Sequence, residues 1–180
     1  MHATTGPSGY PNPLHPLKRV SVFTKFLAAS AVLAAFTLGA AGSAQAQTYK
    51  LNMPLPEDSD TVLRDITVTP QGTTATIVVG NTSDGISEAC AQPNHRPEAF
   101  TLKDLDSGAV LKQLSITGLK SCERGMEKIR PGKRKILKVQ FETLPVTARR
   151  LQLGENHCKQ KEDDDMIYYC FAEVVLKSPK

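Results

Sequence analysis

The sequence predicts an all-β protein, a β-sandwich of seven to eight short strands with two disulfides. Three observations point there. Apolar and polar residues alternate over short runs, and no stretch shows a helical period. Turn signals rich in Gly, Pro, Asn and Asp recur about every ten residues, a spacing that suits a sandwich better than a parallel sheet with crossover helices. Four cysteines, an even number, follow an export signal.

The export signal occupies the first part of the chain. Lys18, Arg19 and Lys25 precede an Ala-rich apolar run from Phe26 to about Gly39, and Ala44-Gln45-Ala46 places small residues where a signal peptidase admits them. Residues 1–46 are therefore expected to be a removed leader and 47–180 a single β-sandwich domain. The apolar run is shorter than the roughly 20 residues of a bilayer span, so no stable membrane span is expected in the mature chain. No Cys adjoins the junction and no Arg pair precedes the run, which argues against lipid attachment and twin-arginine export. The proline-spaced residues 1–17 suit initiation further along, near Val20.

Removing the leader also changes the charge. It holds three of the 22 basic residues and none of the 18 acidic ones, so a chain formally at +4 becomes nearly neutral. That balance points to no nucleic-acid partner and no anionic membrane. The basic run Arg130 to Lys135 has a Pro-Gly turn and no aromatic interleaving, and reads as a turn with solvated flanks.

Strands are expected in order at "DITVT" (65–69), "TTATIVVGN" (73–81), "AFTLKDL" (99–105), "AVLKQLSI" (109–116), "KILKVQF" (135–141), "RRLQL" (149–153) and "MIYYCFAEVVL" (166–176). Their β-branched and aromatic residues suit a pleated surface. Asp106-Ser107-Gly108 should close a hairpin, and "MPLPEDSD" (53–60) reads as an irregular entry to the first long strand. In the last strand, alternation puts Met166, Tyr168, Cys170, Ala172, Val174 and Leu176 on the core face. Ile167, Tyr169 and Phe171 then fall on the outer face, where an aromatic strip is covered by the chain itself or by a partner.

In an oxidising compartment Cys90, Cys122, Cys158 and Cys170 form two disulfides. Three connectivities are open, and the shortest loops favour Cys90–Cys122 with Cys158–Cys170.

"DDDMIYYC" (163–170) resembles the segment that closes an antibody variable domain, with Tyr168 two residues before Cys170 and Asp164 at the corner position. The likeness ends there, since the chain has no Trp and the ten residues after Cys170 leave no room for a further strand. A wider similarity runs through "TTATIVVGNTSDG", "AFTLKDLDSGAVL" and "IRPGKRKILKVQFETLP". Over about Asp65 to Leu153 the chain resembles the small exported immunoglobulin-like modules of bacteria. That resemblance implies an immunoglobulin-like β-sandwich and ties it to no one activity.

Chemistry is sparse. The mature part holds two histidines, His95 and His157, and no G-x-S-x-G, phosphate-binding or dinucleotide fingerprint, so no catalytic residue and no cofactor is assigned. Asp163, Asp164 and Asp165 are consecutive and cannot imitate the alternate spacing of a calcium loop, so no metal ligand is assigned either. The Asn81-Thr82-Ser83 triplet fits a glycosylation sequon. The expectation is a periplasmic or secreted, non-catalytic binding module that contacts another exported protein or a cell-envelope component through Ile167, Tyr169 and Phe171. Two alternatives stand beside it. One is an inhibitor or immunity protein acting on a foreign hydrolase through the 158–170 loop. The other is a metal-sequestering periplasmic protein using His95, His157 and the acidic turn.

Overall fold

The computed structural model describes residues 45–160 and 168–177, all within one compact unit, Ala41–Lys180. The expected leader, Ile167 and the acidic turn 163–165 lie outside the described residues, apart from positions 45 and 46. Among the described residues ten strands form: β1 (Gln47–Leu55), β2 (Asp58–Thr69), β3 (Gly72–Gly80), β4 (Ser87–Ala89), β5 (Phe100–Asp104), β6 (Val110–Thr117), β7 (Glu127–Ile129), β8 (Arg134–Phe141), β9 (Arg150–Glu155) and β10 (Cys170–Val175). Eight of them make one antiparallel sheet in the order β1-β2-β3-β8-β6-β5-β9-β10, and β4 pairs with β7 as a separate ribbon. Among the described residues no helix is long and apolar enough to cross a membrane.

The sheet turns a corner within β6. Val110 to Lys112 pair with β5, while Gln113 to Thr117 pair with β8, with a register shift between Gln113 and Ser115. The inward residues of both halves then meet in one core, which includes Leu63, Ile66 and Ile77 from one side and Phe100, Leu102, Leu151 and Leu153 from the other. At the corner, Phe100 has no main-chain partner on β6. Its N–H donates instead to Gln113 Oε1 at 2.9 Å, and Gln113 Nε2 donates to the Gln92 carbonyl at 3.2 Å. Gln113 is buried, so both bonds are made where water could not substitute.

The disulfides are Cys90–Cys122 and Cys158–Cys170, closing sequence separations of 32 and 12. In the chain-entropy account each restricts the unfolded ensemble by about 3–4 kcal/mol. Cys90–Cys122 anchors the β4–β7 ribbon, helped by main-chain bonds from Ala91 N to Lys120 O and from Cys122 N to Ala91 O. Cys158–Cys170 closes against the end of β9. A Cβ on Gly154 would lie 2.5 Å from Cys158 Sγ and 2.7 Å from the Tyr169 carbonyl, so β10 reaches β9 only over a glycine.

Several expectations change. "MPLPEDSD" is no irregular entry, because it contains the end of β1 and the start of β2. The last strand is shorter than expected and bulged: Phe171 faces Leu153 but Val174 faces Leu151, so β10 carries one extra residue. That insertion inverts the predicted phase just before it, whereas Tyr168, Val174 and Leu176 are buried as strict alternation expects. Tyr169 and Phe171 point into the core at 9% and 1% exposure, while Ala172 is exposed. The expected outward strip at Tyr169 and Phe171 is thereby corrected to a core position. Asn81, the first residue of the sequon triplet, is buried. Its buried amide donates to the Gly85 and Ile129 carbonyls at 2.8 Å each and accepts from Ser83, which pins the 81–85 turn.

Gln113→Leu should cost about 2–4 kcal/mol, since it strands a buried N–H and a buried carbonyl. Urea unfolding of the oxidised protein measures this, and a change below about 0.5 kcal/mol would contradict the role given to the corner amide.

Candidate functional site

An open cleft of about 440 Å3 lies between the β4–β7 ribbon and the main sheet. Asp58, Asp60, Val79 and the Asn81 turn form one wall. Glu88, Ala89, Cys90 and Met126 form the other, held in place by the Cys90–Cys122 bridge. Its size falls within the roughly 300–1,000 Å3 of small-ligand sites.

The inner end is set by β9. In "RLQLGE", Leu151 and Leu153 face the core, and the same alternation brings Glu155 inward at 2% exposure. Its Oε1 accepts the Gln92 N–H at 2.9 Å, and the Tyr169 amide also stabilises the charge. Among the described residues no Lys or Arg lines the cleft. Burial outweighs the two amides and pushes the carboxyl up to about 7.

Tyr169 lies directly before β10 and stacks on Phe100 with ring centroids 5.8 Å apart and planes 17° from parallel. Burial raises its hydroxyl ionisation well above the usual range, and the charges of Glu155 and Asp58 add to this. The phenol therefore stays neutral across the physiological range.

At the mouth, Asp58 accepts from Asp60 N and Thr61 Oγ1, while Asp60 accepts from the Thr82 N–H at 2.6 Å and from its hydroxyl. These bonds fix the two carboxylates without neutralising them. Glu88 has a distant cation, Lys128 Nζ at 3.8 Å. The result is four carboxylates around an apolar lining of Leu55, Val79, Ala89, Met126 and the Tyr169 ring.

Of the residues singled out from the sequence, Ile167 lies outside the described residues, Tyr169 contributes to this cleft from a buried position, and Phe171 packs in the core. His95 and His157 are brought together elsewhere, in a second cleft. Among the described residues no group of three His, Cys, Asp or Glu is placed to hold a metal ion. Glu155 was not singled out, although the leucine alternation in β9 already puts a Glu on the core face. Asp58 and Asp60 carry no such signal, since the hairpin that aims them depends on pairing with β1.

No family model, curated protein or solved structure matches this chain.

Folding raises the Glu155 carboxyl from 4.5 to about 7, so between those values the folded chain holds more protons than the unfolded one. Stability contributed here is full below pH 4.5 and falls as pH rises to 7. At about 1.4 kcal/mol per pKa unit the loss is about 3 kcal/mol. Glu155→Gln should gain about that much relative to the wild type between pH 4.5 and 8, measured by denaturant unfolding at each pH. A difference that does not change with pH would contradict a buried, unpaired carboxyl.

Proposed function

We propose that the chain is an exported, non-catalytic binding module with an immunoglobulin-like sandwich, and that its acidic cleft takes a basic side chain from another exported protein. The observation that carries the reading is Glu155, a buried carboxylate at the end of a cleft with no cation among the described residues of its lining. Burying an unpaired charge costs several kcal/mol, a cost that an incoming cation offsets. The apolar walls suit the methylene stem of Lys or Arg, and Asp58, Asp60 and Glu88 suit its approach from solvent.

The fold part of the proposal is supported by strand order. β1, β2, β3 and β8 form one run and β5, β9 and β10 another, with β6 shared between them, which suits two facing layers. Export is supported by the two disulfides, which persist in an oxidising compartment. A periplasmic or secreted setting also supplies the protein partners that such a cleft would meet.

Binding by this route has a definite pH sense. A cation favours ionised Glu155, so affinity should rise from pH 6 to 8, and binding near neutral pH should release a proton. The probe is arginine amide and the control norleucine amide, both N-acetylated so that the guanidinium is the one charge between them, and both are titrated by calorimetry. Arginine amide should bind at least tenfold tighter than norleucine amide, and Glu155→Gln should remove about tenfold of that affinity. Equal binding of the two amides would refute the reading.

A further inference from the structure

The second cleft, of about 480 Å3, is opposite in character. It opens between the 94–97 loop, the start of β5, the start of β6 and His157. His95, Arg96, Lys112 and His157 line it, together with the apolar Pro97 and Val110, and among the described residues no carboxylate is in the lining. Two carboxylates pair with the basic groups. Glu123 Oε1 is 2.8 Å from His95 Nε2, which orients that ring, and Glu98 Oε2 is 3.7 Å from Arg96 Nε. Among the described residues the Lys112 and His157 side chains have no hydrogen-bond or ion-pair partner.

His157 reaches this cleft by an unusual backbone. Asn156, His157 and Cys158 have φ of 47°, 55° and 60°, three successive non-glycine residues in the left-handed region. Such residues normally adopt that geometry singly. The turn is clamped by the Asn156 N–H to the Glu98 carbonyl at 2.9 Å, by Lys159 N to the Asn156 carbonyl at 3.0 Å, and by the Cys158–Cys170 bridge. A disfavoured conformation held from three sides, placing an unpartnered imidazole at a cleft, is the kind of outlier that accompanies a binding role.

We propose that this cleft binds a small phosphate ester with an apolar body. Lys112 and Arg96 supply permanent charge, the His157 imidazole adds a directional donor, and Pro97 and Val110 accept the apolar part. The site is independent of the acidic cleft and shares no lining residue with it.

The test uses the full oxidised chain at pH 7 and constant ionic strength, with phenyl phosphate as probe and inorganic phosphate and phenol as its two halves. Ring resonances of His95 and His157 report binding by NMR. The proposal expects saturable shifts with phenyl phosphate, tighter than with inorganic phosphate and absent with phenol. Lys112→Ala should weaken binding about tenfold, as expected for loss of a charge-assisted contact. His157→Gly relieves the left-handed backbone while removing the imidazole, so it should keep or raise the unfolding midpoint and still weaken binding several-fold. Shifts matched by sodium chloride, or unchanged by Lys112→Ala, would overturn the proposal. So would binding seen only when Asp163, Asp164 and Asp165 are all changed to Asn, which would assign the cleft to the chain's own carboxylates.

Discussion

Where β6 leaves β5 for β8, the ladder gives up hydrogen bonds that a buried position cannot leave unmade, and Gln113 restores them from its side chain. Everything beyond that corner depends on it. The β1-β2-β3-β8 run and the β5-β9-β10 run are joined through β6 into one eight-stranded sheet, and the inward residues of both runs belong to one core. Phe100, Leu102 and Leu153 share that core with Leu63 and Ile77. An amide suits the corner because it can donate and accept at once, which a hydroxyl or an aliphatic side chain cannot do with that reach.

The same network sets the electrostatics of the two clefts. Gln92 accepts from Gln113 through its carbonyl and donates to Glu155 through its amide, so a continuous polar thread runs from the corner to the buried carboxylate. Hydrogen bonds in such a chain polarise one another in a low-dielectric interior. Phe100 lines the basic cleft and Tyr169 the acidic one, and the two rings stack. The two clefts thus present charge of opposite sign on either side of one aromatic pair. Disulfides brace both: Cys90 forms part of the acidic wall, and Cys158 ends the turn that carries His157.

The strands legible in the sequence were those whose burial follows simple alternation. β3, β8 and β9 form nearly where period-two patterning puts them, as does the β5–β6 hairpin with Gly108 at φ 78°. The shortest-loop rule also gave both disulfides. What escaped has a common cause. β1 alternates Tyr49, Leu51, Met53 and Leu55 inward, but Pro54 and a left-handed Asn52 make the run look irregular. β10 contains an insertion that reverses its phase, and no local feature of "CFAEVV" announces a bulge. Long-range pairing decides such cases, and it also decides the site. The alternation placing Glu155 inward can be read from "RLQLGE", yet which residues surround that carboxylate follows only from the ribbon and the corner.

The bulges have one more consequence, for the sheet's two open borders. β1 and β10 are the terminal strands, and each has its ladder interrupted by an extra residue, near Asn52 in one and at Ala172-Glu173 in the other. Pro54 further removes a donor from the β1 margin. A margin so broken is a poor template for a foreign strand, which disfavours growth of fibrils and recognition by strand addition alike.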